Sequence, residues 1–330
     1  MTSEIKPNYD ENRQILADVI PLRTPLSIQV TSSSLCNLKC NYCIHASSNM
    51  KNKKIMEWPI FLKLCEQMKE FDDKIKQINF AGWGEPLVNK DLPRMVSHLK
   101  ESDIAVNIAI ITNGTLLKED YVLSLIDAGA DYIKISLQGI SSDKYKEVCG
   151  VKINFDEFVK QVVFLYKNKQ KCKVYIKIAD IALHDEAEEE LFYSTFRDIT
   201  DRMFVESIRP IFDDLDQTLG LNSEQFLSKY GQLHPPVIVC PQPFFMMNIS
   251  SSGEVLPCCG YYDPTNFGDI TQTTLKKVWS GEKMKSFHKM MLSGARNTQD
   301  RYPVCCNCKI PDVTILPGDE LQPGALNSLH

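Results

Sequence analysis

Three cysteines stand close together near the start of the chain, where Cys36, Cys40 and Cys43 form a C-x3-C-x2-C run. Three thiolates on one tight loop can hold three irons of a cubane cluster and leave the fourth iron without a protein ligand. A closed zinc site needs a fourth ligand, and His45 lies only two residues after Cys43, which is shorter than usual zinc spacings. The run therefore favours an iron–sulfur cluster with one open iron over a structural zinc ion.

A second set of cysteines lies in the last third of the chain and is spaced like another metal site. Cys240 and Cys258 are eighteen residues apart, and Gly253 precedes Cys258 by five. Cys305 and Cys308 then form a C-x2-C pair. Four thiolates brought together suit either zinc or a fully ligated iron–sulfur cluster, and the spacing alone does not choose between them.

The segment between Cys240 and Cys258 predicts a β-hairpin. Asn248–Ser251 and Glu254–Pro257 alternate like strands, and the turn between them contains Gly253. Such a turn would bring Cys258 back beside the first strand.

The remaining cysteines have less specific patterns. Cys259 and Cys306 directly follow two of the proposed ligands, and exchanging either with its neighbour keeps the number of thiolates at four. Cys65, Cys149 and Cys172 stand singly among apolar residues, and a free cysteine in that setting behaves as a small hydrophobic side chain. These three are therefore predicted to be structural.

The first cysteine run, with aromatic Tyr42 just before Cys43, resembles the signature of the radical S-adenosylmethionine (SAM) superfamily. The resemblance implies that the amino and carboxylate groups of SAM chelate the open iron of a 4Fe–4S cluster. It also implies that an electron from the cluster cleaves SAM to a 5′-deoxyadenosyl radical. A reductant such as flavodoxin or ferredoxin is the expected partner.

Further residues match SAM-binding positions of the superfamily at the ends of predicted strands. The segment AGWGEPL resembles its Gly-Gly-Glu element, which hydrogen-bonds the SAM amino group, and ITNGTLL and IKISLQG correspond to positions beside the methionine moiety and the ribose. Basic residues on later strands are candidates to bind the SAM carboxylate or a substrate oxygen. Ordinary turns, polar strand ends and salt bridges explain the same residues without a ligand. The candidates are Tyr42, Gly82, Gly84, Glu85, Thr112, Asn113, Ser136, Gln138, Lys177 and Arg209.

The last third resembles the auxiliary-cluster domain of SPASM and shortened "twitch" radical SAM enzymes. A full SPASM domain ends in a further C-x5-C-x3-C, which is missing after Cys308. The resemblance therefore implies one auxiliary 4Fe–4S cluster, ligated by Cys240, Cys258, Cys305 and Cys308, and two clusters in all. The chain is similar overall to the single-auxiliary-cluster dehydrogenases of aminoglycoside biosynthesis.

The elements that must position these residues alternate between strand and helix. Six segments alternate or are apolar like strands, and from Gln77–Ala81 onward each but the last is separated from the next by a helix-period stretch, which favours an α/β fold with a parallel sheet. The resemblance implies a partial, TIM-like (βα)6 barrel, in which chemistry lies at the carboxyl ends of the strands. The predicted strands are Leu26–Thr31, Gln77–Ala81, Val106–Thr112, Tyr132–Leu137, Lys173–Asp180 and Phe204–Ile211, and a helix is predicted over Leu275–Met291.

The predicted layout has five parts. An N-terminal extension covers residues 1–25, the barrel 26–215, a connector with one helix 216–239, the auxiliary-cluster domain 240–312 and a tail 313–330.

Composition and charge make nucleic acid and membranes unexpected as binding partners. The net charge is −5 over 330 residues, so the chain lacks the basic excess that favours nucleic acid or an anionic membrane surface. The N-terminus is polar and no long apolar run occurs, so neither a secretory signal nor a membrane anchor is expected. The chain is therefore expected to be cytoplasmic. In that reducing compartment, twelve cysteines indicate metal ligation rather than disulfides.

The leading functional hypothesis is oxidation of a small polyhydroxylated substrate such as a sugar, aminocyclitol or nucleotide sugar. The auxiliary cluster would accept the second electron, because iron–sulfur potentials span a wide range. Alternatives are peptide or protein modification, sugar epimerisation, and a non-enzymatic zinc-stabilised interaction protein.

The sequence does not assign a general base or a hydrogen-atom donor. Asp180, His184, Asp213 and Asp214 lie near expected strand ends, where a base has to reach the substrate by a hydrogen bond. For an epimerase, the donor candidates are Cys149, Cys259 and Cys306.

Overall fold

Residues 3–7, 9, 13–43, 53–211, 219, 227–260, 266–294, 302–306 and 308–324 are described by the computed structural model. Their strands are β1 (Glu4–Ile5), β2 (Ser27–Val30), β3 (Ile75–Phe80), β4 (Ala105–Thr112), β5 (Tyr132–Leu137), β6 (Lys173–Ala179), β7 (Arg202–Glu206), β8 (Met246–Ile249), β9 (Glu254–Leu256) and β10 (Gly268–Asp269). All belong to one ten-stranded sheet in the order β1-β7-β6-β5-β4-β3-β2-β8-β9-β10.

Strands β2 to β7 are parallel and lie side by side in chain order. Helices connect most of them, as parallel pairing requires. The described helices are α1 (Leu16–Val19), α2 (Trp58–Met68), α3 (Leu92–Glu101), α4 (Glu119–Asp127), α5 (Ser142–Cys149), α6 (Phe155–Asn168), α7 (Glu186–Phe196), α8 (Gln242–Phe245), α9 (Leu275–Ser280), α10 (Glu282–Leu292), α11 (Pro303–Cys306) and α12 (Ile310–Thr314). The predicted α/β class and its six-stranded parallel core are confirmed.

Two further strands extend this parallel arrangement at its edges. Strand β1 pairs in parallel with β7, and β8 pairs in parallel with β2. The predicted hairpin is present as β8 and β9, which are antiparallel, with Gly253 at φ +94° in the turn. Its first strand is therefore also a barrel strand, which the sequence analysis did not predict.

Alternation along the strands separates an apolar face from a polar one. On β2, Ile28 and Val30 are fully buried in the core shared with the helices, whereas Ser27 and Gln29 point to the opposite side. We call that opposite side the inner face. The polar side chains on it include Ser27, Gln29, Gln77, Asn79, Ser136, Lys177 and Asn248.

Two predicted elements have different bounds. The helix expected over Leu275–Met291 is two helices, because Gly281 is extended at φ −77° and ψ 163° and ends α9 before α10 begins. The last barrel strand begins at Arg202 and ends at Glu206 instead of covering Phe204–Ile211. Beyond it, the Ser207 amide donates to the Lys229 carbonyl at 3.1 Å, so the backbone leaves the sheet.

The extension, the connector and the tail, expected as separate parts, meet in the structure. The Leu16 amide donates to the Gly318 carbonyl at 2.7 Å, and Arg13 pairs with the buried Asp319. The ring of Tyr9 lies 5.3 Å from that of Tyr230.

None of the helices in the described ranges combines the length and the apolar composition needed to cross a bilayer.

Candidate active site

The loop after β2 carries Cys36, Cys40 and Cys43, each of them half-buried. Its backbone is tied to the end of α5, since the Lys39 and Asn41 amides donate to carbonyls at Cys149 and Val148 at 3.1 and 2.9 Å. The loop is therefore held on a helix end.

A small apolar cluster lies beneath the loop. Leu38, Tyr145 and Cys149 are buried together, and Cys40 packs against them. The Cys149 thiol donates to the Tyr145 carbonyl at 2.7 Å. Cys149, predicted to be structural, thus supports the cysteine loop, and Cys65 and Cys172 are buried in the main core as predicted.

The glycine-rich turn after β3 packs directly against the cysteine loop. A Cβ on Gly84 would lie 2.3 Å from the Ser33 carbonyl oxygen and 2.6 Å from that of Leu35. The Glu85 amide also donates to the Leu35 carbonyl at 2.8 Å. Gly82 has φ +119°, a conformation that favours glycine. Gly84 is thus needed because a side chain would collide with the backbone of the cysteine loop, and Gly82 because of its positive φ.

Glu85 is buried behind this turn and holds the end of β4. Its carboxylate accepts from the Thr112 hydroxyl at 2.5 Å, the Asn113 amide at 2.7 Å and the Leu87 amide at 3.0 Å. Burial raises the pKa of Glu85 to about 7, against the effect of these three donors. Its observed role is to position Thr112 and Asn113, and binding of the SAM amino group stays a prediction.

Asn113 connects the end of β4 to the first cysteine. Its amide nitrogen donates to the Asn37 side-chain oxygen at 3.0 Å and lies 3.9 Å from the Cys36 sulfur. The Asn37 amide in turn donates to the Thr115 hydroxyl at 2.8 Å. Sequence reasoning missed Asn37 and Thr115, although both flank predicted site residues.

Tyr42 connects the loop to the end of β5. Its hydroxyl donates to the side-chain oxygen of Gln138, whose amide nitrogen donates to the Ser136 carbonyl at 3.1 Å. Burial, and then the nearby thiols, raise the pKa of Tyr42 well above its ordinary value, so it stays a neutral donor. The structure thus brings the candidates on β3, β4 and β5 around one loop.

Lys177 and Arg209 lie in different settings. Lys177 pairs with Glu206, which also pairs with Lys229 at 2.9 Å. Burial opposes ionisation of Glu206, yet the two ammonium groups hold the pKa of its carboxyl at about 2. The Arg209 Nε is buried with no hydrogen-bond partner among the described residues.

The candidate bases have other contacts. Asp180 accepts from the Ile181 amide, the Ser207 hydroxyl and the Ile208 amide, at 2.8, 2.6 and 2.9 Å, and so fixes the ends of β6 and β7. His184 is exposed and contacts the Lys144 ammonium at 2.8 Å. Asp213, Asp214 and His45 lie outside the described residues.

Part of the second cysteine set lies close together just after β9 ends. The Cys258 thiol is near those of Cys240, Cys259 and Cys308, and burial, more than these thiols, raises its pKa well above the ordinary value. The Cys259 thiol, which is also near that of Cys308, donates to the Gln242 side-chain oxygen at 2.9 Å. Ligation by Cys258 rather than Cys259 stays a prediction.

The sequence neighbour Cys306 also has a separate contact. Its thiol lies 3.8 Å from the Tyr302 carbonyl, one helical turn earlier. Cys305 packs against the main core.

Both thiol sets suit iron–sulfur clusters by their chemistry. Backbone amides of Leu38 and Gly260 donate to the sulfurs of Cys36 and Cys258 at 3.5 and 3.3 Å, the kind of bond that tunes cluster sulfurs. Burial raises the pKa of Cys36 to about 11, so ligation would release a proton. Within the described ranges, no three Cys, His, Asp or Glu side chains are yet gathered as a metal-binding group.

Comparison with known families assigns most of the chain. Residues 30–191 match the Radical SAM superfamily, and residues 240–309 match the SPASM family, an iron–sulfur cluster-binding domain. These ranges contain the two cysteine sets described above.

Curated relatives match over different lengths. A probable GTP 3′,8-cyclase of Methanococcus vannielii is 32% identical over 163 residues, which are 49% of this chain and 52% of that protein. The chain thus spans about half the length of that relative. An S-adenosyl-L-methionine-dependent 2-deoxy-scyllo-inosamine dehydrogenase of Niallia circulans is 24% identical over 85% of this chain and 91% of its own length.

Among solved structures, BtrN in complex with AdoMet and 2-DOIA has a similar fold. The TM-score is 0.54 at 22% identity, over 86% of this chain and 92% of that one.

Proposed function

The chain carries a radical SAM domain over residues 30–191 and an iron–sulfur cluster-binding SPASM domain over residues 240–309, and from this premise we propose that it dehydrogenates a small polyhydroxylated molecule. The substrate class is a sugar, an aminocyclitol or a nucleotide sugar. When bound, the first cluster with SAM supplies a 5′-deoxyadenosyl radical, and the auxiliary cluster supplies an acceptor for one electron.

The observation that carries this proposal is the match with a dehydrogenase at 24% identity over 85% of this chain and 91% of that protein. The match to the GTP cyclase is higher in identity but is confined to 49% of this chain. It therefore supports the SAM chemistry that the two would share and bears less on the substrate.

The reaction balances with one electron acceptor. With SAM and the clusters bound, a hydrogen atom would be removed from a carbon that bears a hydroxyl, and 5′-deoxyadenosine would be the co-product. The substrate then loses the hydroxyl proton and one electron, and the product is a ketone. Four thiols in the second set, Cys240, Cys258, Cys305 and Cys308, are proposed to hold the acceptor.

The chain's own residues prepare the site. The bonds from Tyr42 to Gln138 and from Asn113 to Asn37 fix the cysteine loop against the strand ends. The polar inner face offers hydrogen bonds to hydroxyl groups, which an apolar barrel would not. Fixed donors and acceptors of this kind orient a substrate at little cost when the reaction begins.

Anaerobic reconstitution tests the proposal. Wild type should bind about eight irons and a Cys36→Ala/Cys40→Ala/Cys43→Ala variant about four, in line with two four-iron clusters. With flavodoxin as reductant and 2-deoxy-scyllo-inosamine as the probe, wild type alone should form 5′-deoxyadenosine and a product two mass units lighter.

A different product would contradict the proposed dehydrogenase activity. Turnover of GTP or of a peptide without loss of two hydrogens, from protein with about four irons, would instead indicate redox-neutral chemistry without an auxiliary acceptor. Colourless protein with zinc in both sites would contradict the proposal that the chain is an iron–sulfur enzyme.

A further inference from the structure

Two polar side chains near the barrel mouth are buried without hydrogen bonds. Asn248 is 0% exposed and Thr31 1% exposed. Among the described residues, the side-chain nitrogen and oxygen of Asn248 have no hydrogen-bond partner, and the Thr31 hydroxyl has none either. Burying such groups unpaired is unfavourable, so their retention calls for a partner that binds there.

Both side chains lie on the inner face at the carboxyl ends of neighbouring strands. Asn248 on β8 is in register with Gln29 on β2. Thr31 continues β2, because its amide donates to the Ile249 carbonyl at 2.9 Å, and two-residue alternation puts its side chain on the face of Gln29. The pair thus forms one patch, which we call the β2–β8 patch.

The β2–β8 patch adjoins the turn that resembles the SAM-binding element. A Cβ on Gly82 would lie 2.4 Å from the Thr31 hydroxyl and 3.3 Å from the Gln29 amide nitrogen. The residues that resemble SAM-binding positions lie mostly on β3, β4 and β5, to one side of Gly82, and β8 lies to the other side. A ligand group at Asn248 would therefore sit beside the SAM position rather than in it.

A neighbouring amide shows that the inner face does pair its own polar groups. Asn79 is in register with Gln29 from the other side. Its nitrogen donates to the Ser27 hydroxyl at 3.2 Å, and its oxygen accepts from the Gln77 amide at 3.3 Å. Two strands away, across β2, the Asn248 side chain has no such hydrogen bonds within the described residues.

We propose that the β2–β8 patch is a subsite that binds a hydroxyl group of the substrate. A hydroxyl donates one hydrogen bond and accepts others, which matches the oxygen and nitrogen of the Asn248 amide and the Thr31 hydroxyl. All these groups are neutral, so the patch selects an uncharged polar group over a phosphate or a carboxylate. The inference rests on the proposed function for the identity of the ligand.

The test compares Asn248→Leu and Thr31→Val with Asn79→Leu as the matched control, all in the reconstituted, SAM-loaded holoenzyme. Asn248→Leu should raise the apparent Tm without substrate, because it removes an unpaired buried amide. Asn79→Leu should lower it, because it breaks two hydrogen bonds. Iron content should stay at the wild-type level in Asn248→Leu.

The ligand arm uses 2-deoxy-scyllo-inosamine. Asn248→Leu and Thr31→Val should each raise KM about tenfold, the change expected for one lost hydrogen bond, and should reduce the Tm shift that the probe produces. A lower Tm in Asn248→Leu without substrate, or an unchanged KM, would overturn the subsite. If wild type neither converts the probe nor shows a Tm shift with it, the proposed substrate is wrong. The Tm comparison of Asn248→Leu with Asn79→Leu still shows whether the Asn248 amide is unpaired.

Discussion

Replacing Glu85 with glutamine changes one of the carboxylate oxygens into a donor. The carboxylate faces three donors, from Thr112, Asn113 and Leu87. In Glu85→Gln at least one buried donor must then lose its acceptor, which costs about 2 kcal/mol of the free energy of unfolding. The end of β4 should loosen, and with it the contact of Asn113 with Asn37 in the cysteine loop.

The cost of Glu85→Gln should depend on pH. Burial raises the pKa of Glu85 from 4.5 to about 7, so the folded protein binds the proton more tightly than the unfolded chain. This contribution to stability is fully present below pH 4.5 and is lost as the pH rises through about 7. Between pH 6 and pH 8 wild type loses about 1 kcal/mol that the variant does not, so the cost of Glu85→Gln falls by about that amount over this range.

Anaerobic thermal unfolding of the reconstituted protein measures this difference. At roughly 2–4 °C per kcal/mol, the gap in apparent Tm between wild type and Glu85→Gln should be about 3 °C larger at pH 6 than at pH 8. Glu66→Gln is the control, because Glu66 is exposed and its bond to Lys69 lowers the pKa of its carboxyl. A gap that stays constant, or widens toward pH 8, would refute the assignment of a raised pKa to Glu85.

Three further predictions test separate contacts. Cys258→Ser should reduce the iron content from about eight to about four, whereas Cys259→Ser, which removes a thiol bonded to a glutamine, should keep about eight; equal iron loss would contradict the ligand assignment. Tyr42→Phe should lower the apparent Tm by about 3 °C, and adding Gln138→Leu should cost less than it does alone, because the two groups share one bond. Glu206→Gln should cost about 3 kcal/mol, since it removes the buried carboxylate that pairs with two half-buried lysines. The low pKa of Glu206, about 2, means that its stabilisation is complete above pH 4.5 and is lost only as the pH falls through about 2, so this cost should not change between pH 6 and pH 8.

The sequence predicted the features that depend on local pattern. The strands β3, β4 and β5 alternate clearly and lie where period-two patterning placed them. The buried single cysteines follow from apolar surroundings, and the hairpin follows from its Gly253 turn. These are properties of a few adjacent residues.

Features that depend on distant partners were not predicted. Strand β1 has two residues, and nothing in Glu4–Ile5 indicates pairing with Arg202. The parallel pairing of β8 with β2 has no local signal either, because nothing in the sequence of β8 specifies which exposed strand edge it pairs with. Glu85 was expected to face a ligand, and only the fold shows that Thr112 and Asn113 already lie against it.

The pairing of β8 with β2 also has a consequence for how the chain is made. Val30 pairs with Ile249, so one edge of β2 stays uncovered until more than two hundred further residues have left the ribosome. At roughly 5–20 residues per second this wait is about 10–40 s. An uncovered strand edge invites pairing with other chains. A fragment that stops before β8 would keep that edge permanently, so the N-terminal domain depends on the C-terminal third for protection against aggregation.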